Sequence, residues 1–204
     1  MNKPMLPRLG AACGAVFAIV LTAANGNGSQ QFSGARAVAG IAALTLAIPF
    51  LCYLCSLLRD AEAANGWIAT TALTAGITGI TIKLASGAPE LALTRAHIAG
   101  GTPLHKAIEE IAGAATVLSL YPLAIFCAAT AILALRTRAL PRWLGAGAAL
   151  TAAALAVNGG FLVTSNVPGL LLFALWTLLT SAYLVRRTWR EPAYARQAEA
   201  TAGA

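Results

Sequence analysis

An all-α fold, a polytopic bundle of six transmembrane helices, is what this sequence predicts, on three observations. Apolar stretches occupy residues 9–24, 38–58, 67–85, 111–135, 144–164 and 167–185, most of them near the ~20 residues that carry a helix across a ~30 Å hydrocarbon core. Only 10% of the chain is charged while 58% is hydrophobic, against about 25% charged in a soluble domain. One core cannot hide that much apolar surface, so lipid must cover part of it. Finally, the basic residues gather at alternate ends of the stretches, which is how membrane helices are oriented.

With the N-terminus inside, the inner side holds Lys3, Arg8, Arg59, Arg136, Arg138, Arg142, Arg186, Arg187, Arg190 and Arg196. The outer side holds Arg36, Arg95 and Lys106, with Lys83 near the outer end of the third span. Six spans then return the C-terminus inside. Residues 1–191 read as one membrane domain and 192–204 as a flexible cytoplasmic tail. The expected home is a bacterial plasma membrane. A net charge of +7 does not point to nucleic acid, because the basic residues flank spans and form no continuous basic face; anionic headgroups are its partners.

The first stretch follows Lys3 and Arg8 and ends in Leu21-Thr-Ala-Ala-Asn-Gly26, which also fits a signal peptide. A retained helix is the expectation, since no clear A-x-A site follows. Residues 25–36, rich in Gly, Asn, Ser and Gln, form a flexible outer loop. In the second stretch, Cys52-Tyr-Leu-Cys55 spells CxxC. Within an apolar helix, and without a second such pair, these thiols are packing groups.

The third stretch carries Ala72, Gly76, Gly79 and Lys83 on one helical face and Thr71, Thr74, Thr78 and Thr81 nearly opposite. The first set suits close helix packing. Residues 86–110 form the longest connector. Thr102-Pro103 marks a helix start, Thr102 as N-cap and Pro103 at the first helical position. A helix from there through Leu135 is about 50 Å long, so its first two turns project outward or tilt. Pro122 is expected to kink it. Between the fourth and fifth stretches, Arg136-Thr-Arg-Ala-Leu-Pro-Arg-Trp143 is an inner turn with Pro141 suited to the next helix start. Trp67, Trp143 and Trp189 belong at headgroup depth.

Four residues are the candidates for chemistry. Lys83 is costly inside a span and is by default a binding-site hypothesis; it can also snorkel outward or pair with Glu90 or Glu109. Asn158, in Val157-Asn-Gly-Gly160, could bind a substrate polar group beside a loosened helix, or make an interhelical hydrogen bond. His105 and Glu109 stand at i,i+4 and could share a metal, with His97 and Glu110 nearby. Two ligands on one helix are not a site, and solvation of a headgroup-level loop explains them equally. No span contains a histidine to hold haem, and no hydrolase, zinc-protease or phosphate-loop pattern occurs. No cofactor is implied.

From Leu118 to Arg187 the sequence resembles a family of uncharacterised six-span bacterial membrane proteins of actinobacterial type that carry a domain of unknown function. Leu133-Ala-Leu-Arg-Thr-Arg138, then Ala139-Leu-Pro-Arg-Trp-Leu-Gly145, then Leu170-Leu-Leu-Phe-Ala-Leu-Trp176 through Arg186-Arg187 carry that resemblance. It implies a helical membrane protein and transfers no catalytic residues. The expected function is a non-enzymatic scaffold or regulatory membrane component. It would pack through the small-residue faces of the third and fifth spans against a membrane-protein partner or a second copy. The alternative is a small transporter for a lipophilic or weakly polar solute, using Lys83 and Asn158.

Overall fold

The computed structural model describes residues 5–26, 34–62, 66–96, 101–161 and 168–202. All of the regular structure among them is helical: α1 (Met5–Gly26), α2 (Gly34–Glu62), α3 (Trp67–Arg95), α4 (Pro103–Thr137), α5 (Arg142–Phe161) and α6 (Pro168–Ala202). Four helical segments are long and apolar enough to cross a membrane: Val38–Glu62, Trp67–Leu93, Pro103–Thr137 and Pro168–Trp189. The apolar part of α1, Arg8–Ala23, is shorter. The expected outer loop at 25–36 is helical up to Gly26 and from Gly34, and its middle lies outside the described residues.

Each helix packs on its sequence neighbours, and α6 closes on α1 to complete a ring. Glycines give the register. A Cβ built on Gly10 would meet Tyr53, and one on Gly14 would meet Phe50 and Ser181, so α1 runs antiparallel to both α2 and α6. Gly76 faces Leu51 and Phe126, and Gly79 faces Leu123, setting α3 antiparallel to α2 and α4. Gly145 meets Ala134 and Leu135 while Gly159 meets Leu120 and Tyr121, which fixes α5 against α4. Every contact around the ring is therefore antiparallel, and short connections demand that arrangement.

The interior is closed by aromatic rings. Phe126 lies edge-on to Phe173 and Trp176, with centroids 6.3 and 6.0 Å apart, and Phe17 joins Phe173 at 6.2 Å. All four are buried to within 3% of complete. Edge-to-face pairs of this kind add to the stabilisation from burial alone. Trp176 also donates from Nε1 to the Leu144 carbonyl at 3.0 Å, which ties α6 to the start of α5.

The register brings the start of α1, the α2–α3 turn, the α4–α5 turn and the far part of α6 to one end of the bundle. Arg8, Arg59, Arg136, Arg138, Arg142, Arg186 and Arg187 are all there. Arg8 stacks 5.1 Å over Trp189 and donates to the Thr188 carbonyl, while Arg187 donates to the Ala139 carbonyl at 3.1 Å. Trp67, Trp143 and Trp189 are exposed at the same end. The α2–α3 turn is held by Glu62, whose two carboxylate oxygens accept from the Ile68 and Ala69 amides at 3.1 and 3.0 Å. A carboxylate there satisfies two otherwise unpaired amides and the helix dipole together.

One expectation changes. Residues 86–95 continue α3, with Pro89 inside it, so the long connector shrinks to the few residues before Thr102. Gly87 lies on the side of the extension that faces Ile41 of α2. The backbone of α6 is helical to Ala202, past Pro192; alanine, glutamate, glutamine and arginine all favour helix. Thr102 does cap α4, accepting from the His105 amide at 3.2 Å with Pro103 following. Pro141 stands one residue ahead of α5, its carbonyl accepting from the Leu144 and Gly145 amides.

Candidate functional site

Away from the arginine-bearing end, polar side chains enter the bundle in two places. In the α3–α4 seam, half-buried Lys83 donates from Nζ to Thr116 Oγ1 at 2.7 Å. Thr116 Oγ1 in turn donates to the Ala112 carbonyl, and buried Ser119 and Ser86 donate to the Thr116 and Lys83 carbonyls. The sequence offers Glu90 or Glu109 as partners for Lys83; among the described contacts its partner is this hydroxyl. The Glu90 side chain lies outside the described residues.

The second place is Asn158 on α5. Its face is set by helical spacing: Leu144, Ala148, Thr151, Leu155 and Asn158 are all buried, so the amide points into the bundle. It is 2% exposed, yet among the described residues neither Nδ2 nor Oδ1 has a hydrogen-bond partner. Next to it, Tyr121 Oη donates 3.0 Å to the Gly159 carbonyl, binding α4 to α5 at that level. A buried polar group left unpaired costs about 1–3 kcal/mol. The amide has both a donor and an acceptor to offer.

Further along the interior, on the other side of the aromatic rings, lie Thr177, Thr180 and Ser181 of α6. Each is fully buried, and among the described residues each hydroxyl lacks a partner, as does that of Thr130 on α4. Their 3–4 residue spacing on one face was visible in the sequence. What hid them was their residue type, since threonine and serine in a span ordinarily bond back to their own helix, as Thr151 does to Gly147. The aromatic layer thus separates an unpaired amide from a set of unpaired hydroxyls.

His105 and Glu109 meet as expected, Nε2 to Oε1 at 3.2 Å. His97 lies outside the described residues. Among the described residues no three His, Cys, Asp or Glu side chains gather as a metal would require. The pair therefore links one turn of the exposed start of α4. Cys55 and Cys127 are buried, Cys13 is half-buried, and Cys52 is exposed on the outer surface of α2. Cys52 and Cys55 thus point to different surroundings and do not act as a pair.

The small-residue faces are filled within one chain. Ala72 is fully buried, Gly76 and Gly79 hold Leu51, Phe126 and Leu123, and Gly145 and Gly147 hold Leu135 and Trp176. Thr71, Thr74, Thr78 and Thr81 face outward, as their spacing predicts. No protein family, curated protein or solved structure matches the chain, so the resemblance read over Leu118–Arg187 gains no support there.

Proposed function

We propose that this chain is a six-span membrane protein of a bacterial plasma membrane, both termini inside, that binds and moves a small, weakly polar solute. The arginine-bearing end is the cytoplasmic end in this reading, and α1 and α5 cross with the other four. One observation carries the solute role: Asn158, buried among apolar side chains with its donor and acceptor both unpaired. A neutral solute with an amide or hydroxyl group would satisfy both. The scarcity of charge in the interior argues against ion coupling. The aromatic layer of Phe17, Phe126, Phe173 and Trp176 would then be the barrier between an outer binding level at Asn158 and an inner one at Thr177, Thr180 and Ser181.

The test removes the native cysteines and introduces Asn158→Cys. A water-soluble maleimide added from outside should label it, and bound solute should slow the labelling. If the thiol stays unlabelled from both sides while Lys106→Cys is labelled, the interior is dry and the solute role fails. A scaffold reading retains one specific observation, the outward threonine row on α3, but the packing faces that first motivated it are used up inside the monomer.

A further inference from the structure

Charge is unevenly shared around the arginine-bearing end. From Ile111 to Arg190 the chain holds six arginines and no aspartate or glutamate. The α2–α3 turn, by contrast, sets Asp60 and Glu62 beside Arg59. Orientation in a membrane needs basic residues on one side, but it does not need them gathered in one corner of a ring. That corner is the α4–α5 turn. Exposed Arg138 and Arg142 stand in it, and Arg187 of α6 reaches it by donating to the Ala139 carbonyl at 3.1 Å. Among the described residues no carboxylate forms an ion pair with Arg138 or Arg142.

Both of these residues break a local rule. Arg138 holds a left-handed φ of 57°, a conformation that favours glycine. Arg142 opens α5, whose first turn contains no acid, so its cation lies at the positive end of the helix dipole. Arg136 needs no such explanation, because a cation in the last turn of α4 complements the dipole there. Locally unfavourable placements gather at binding sites. An anion held in the turn would answer both cations and the unpaired amides at the start of α5.

The surroundings identify the anion. Trp143 is 54% exposed directly after Arg142, and Ile132 and Leu135 are 46 and 47% exposed on α4 just before the turn. Basic groups, an amphipathic ring beside them and an apolar wall leading into the hydrocarbon together match a phosphate that carries acyl chains. A water-soluble phosphate would make no use of the ring or the wall. We propose that the α4–α5 turn, with Arg187, is a binding site for an anionic phospholipid. The phosphate meets Arg138 and Arg142, and the chains lie along α4. The site rests on the membrane placement above and is independent of the solute.

Tryptophan quenching in full-length protein, reconstituted in phosphatidylcholine bilayers, tests this contact. One variant keeps Trp143 (Trp67→Phe, Trp189→Phe) and the other keeps Trp67 (Trp143→Phe, Trp189→Phe); buried Trp176 stays in both. Phosphatidylglycerol brominated near the top of its acyl chains is then exchanged for part of the phosphatidylcholine. Trp143 should select it over equally brominated phosphatidylcholine by at least about fivefold, the weight of one basic residue at a charged surface. Trp67 should show little preference. Arg138→Gln with Arg142→Gln should bring Trp143 down to the Trp67 value, and Arg59→Gln should not. Arg138→Gly also relaxes the backbone, so preference lost in that variant is not the result of a damaged fold. Equal preference at both tryptophans, or a preference that survives the double variant, overturns the site and leaves the placement intact. Loss of the preference when glycerol phosphate is added to the buffer would show a phosphate site without lipid specificity, and overturns it too. If brominated phosphatidylcholine quenches neither tryptophan, the membrane placement itself fails and the site with it.

Discussion

Replacing Gly79 with alanine tests the register of the bundle where it is tightest. A Cβ there would lie 2.7 Å from Leu123 Cγ, 2.9 Å from its Cδ2 and 3.3 Å from its backbone nitrogen. Carbon atoms in ordinary contact are about 3.5–4.0 Å apart, so α3 and α4 must part by close to 1 Å or Leu123 must leave its rotamer. Leu123 is 1% exposed and has nowhere to swing. Overpacking of this kind costs about 1–3 kcal/mol, partly offset by the gain of up to ~1 kcal/mol from alanine over glycine in a helix. Gly113→Ala and Gly40→Ala are the controls, since nothing lies within 4 Å of a Cβ at either; they should be neutral or stabilising. Unfolding in mixed micelles with increasing SDS, followed by tryptophan fluorescence, should rank Gly79→Ala below both controls by about 1–2 kcal/mol. Leu123→Ala alone removes buried side chain and costs about 2–5 kcal/mol. In the double variant the new methyl enters the vacated space, so the two costs should fall short of additivity by ~1 kcal/mol. If Gly79→Ala matches the controls, or the two substitutions simply add, the α3–α4 seam is not where the register places it.

Glu62→Ala removes the carboxylate that accepts from the Ile68 and Ala69 amides and should cost about 1 kcal/mol in the same assay. Glu109→Ala, which breaks only a surface pair, should change stability by less than ~0.5 kcal/mol; equal effects would mean Glu62 is not a cap. Arg138 holds a left-handed φ of 57°, so Arg138→Gly should be neutral or stabilise by up to ~1 kcal/mol and Arg138→Val should destabilise. A destabilised glycine variant would show that the Arg138 side chain matters more than its backbone. In single-cysteine proteins, a lipid-soluble maleimide should label exposed Cys52 in folded protein and reach buried Cys127 only after denaturation. Rapid labelling of Cys127 would contradict the inward face assigned to α4.

The helices were legible because hydropathy and helix formation coincide where lipid is the solvent. The cap at Thr102 was legible too, because a hydroxyl followed by proline has one dominant use at a helix start. Residues 86–95 were not, since Gly87 and Pro89 lower helix propensity there and Glu90 lowers apolarity. The extension runs beside Ile41 of α2, which a Cβ at Gly87 would meet only at 3.7 Å, a tertiary arrangement that no local pattern encodes. Asn158 could be singled out by type alone, but spacing cannot say whether an amide is paired. Only the burial of Leu155 and Ala148 on the same face, and an amide that makes no hydrogen bond among the described residues, turn it from a packing residue into a candidate site. The hydroxyls of Thr177, Thr180 and Ser181 were hidden for the opposite reason: serine and threonine are so common in spans that their presence carries little information.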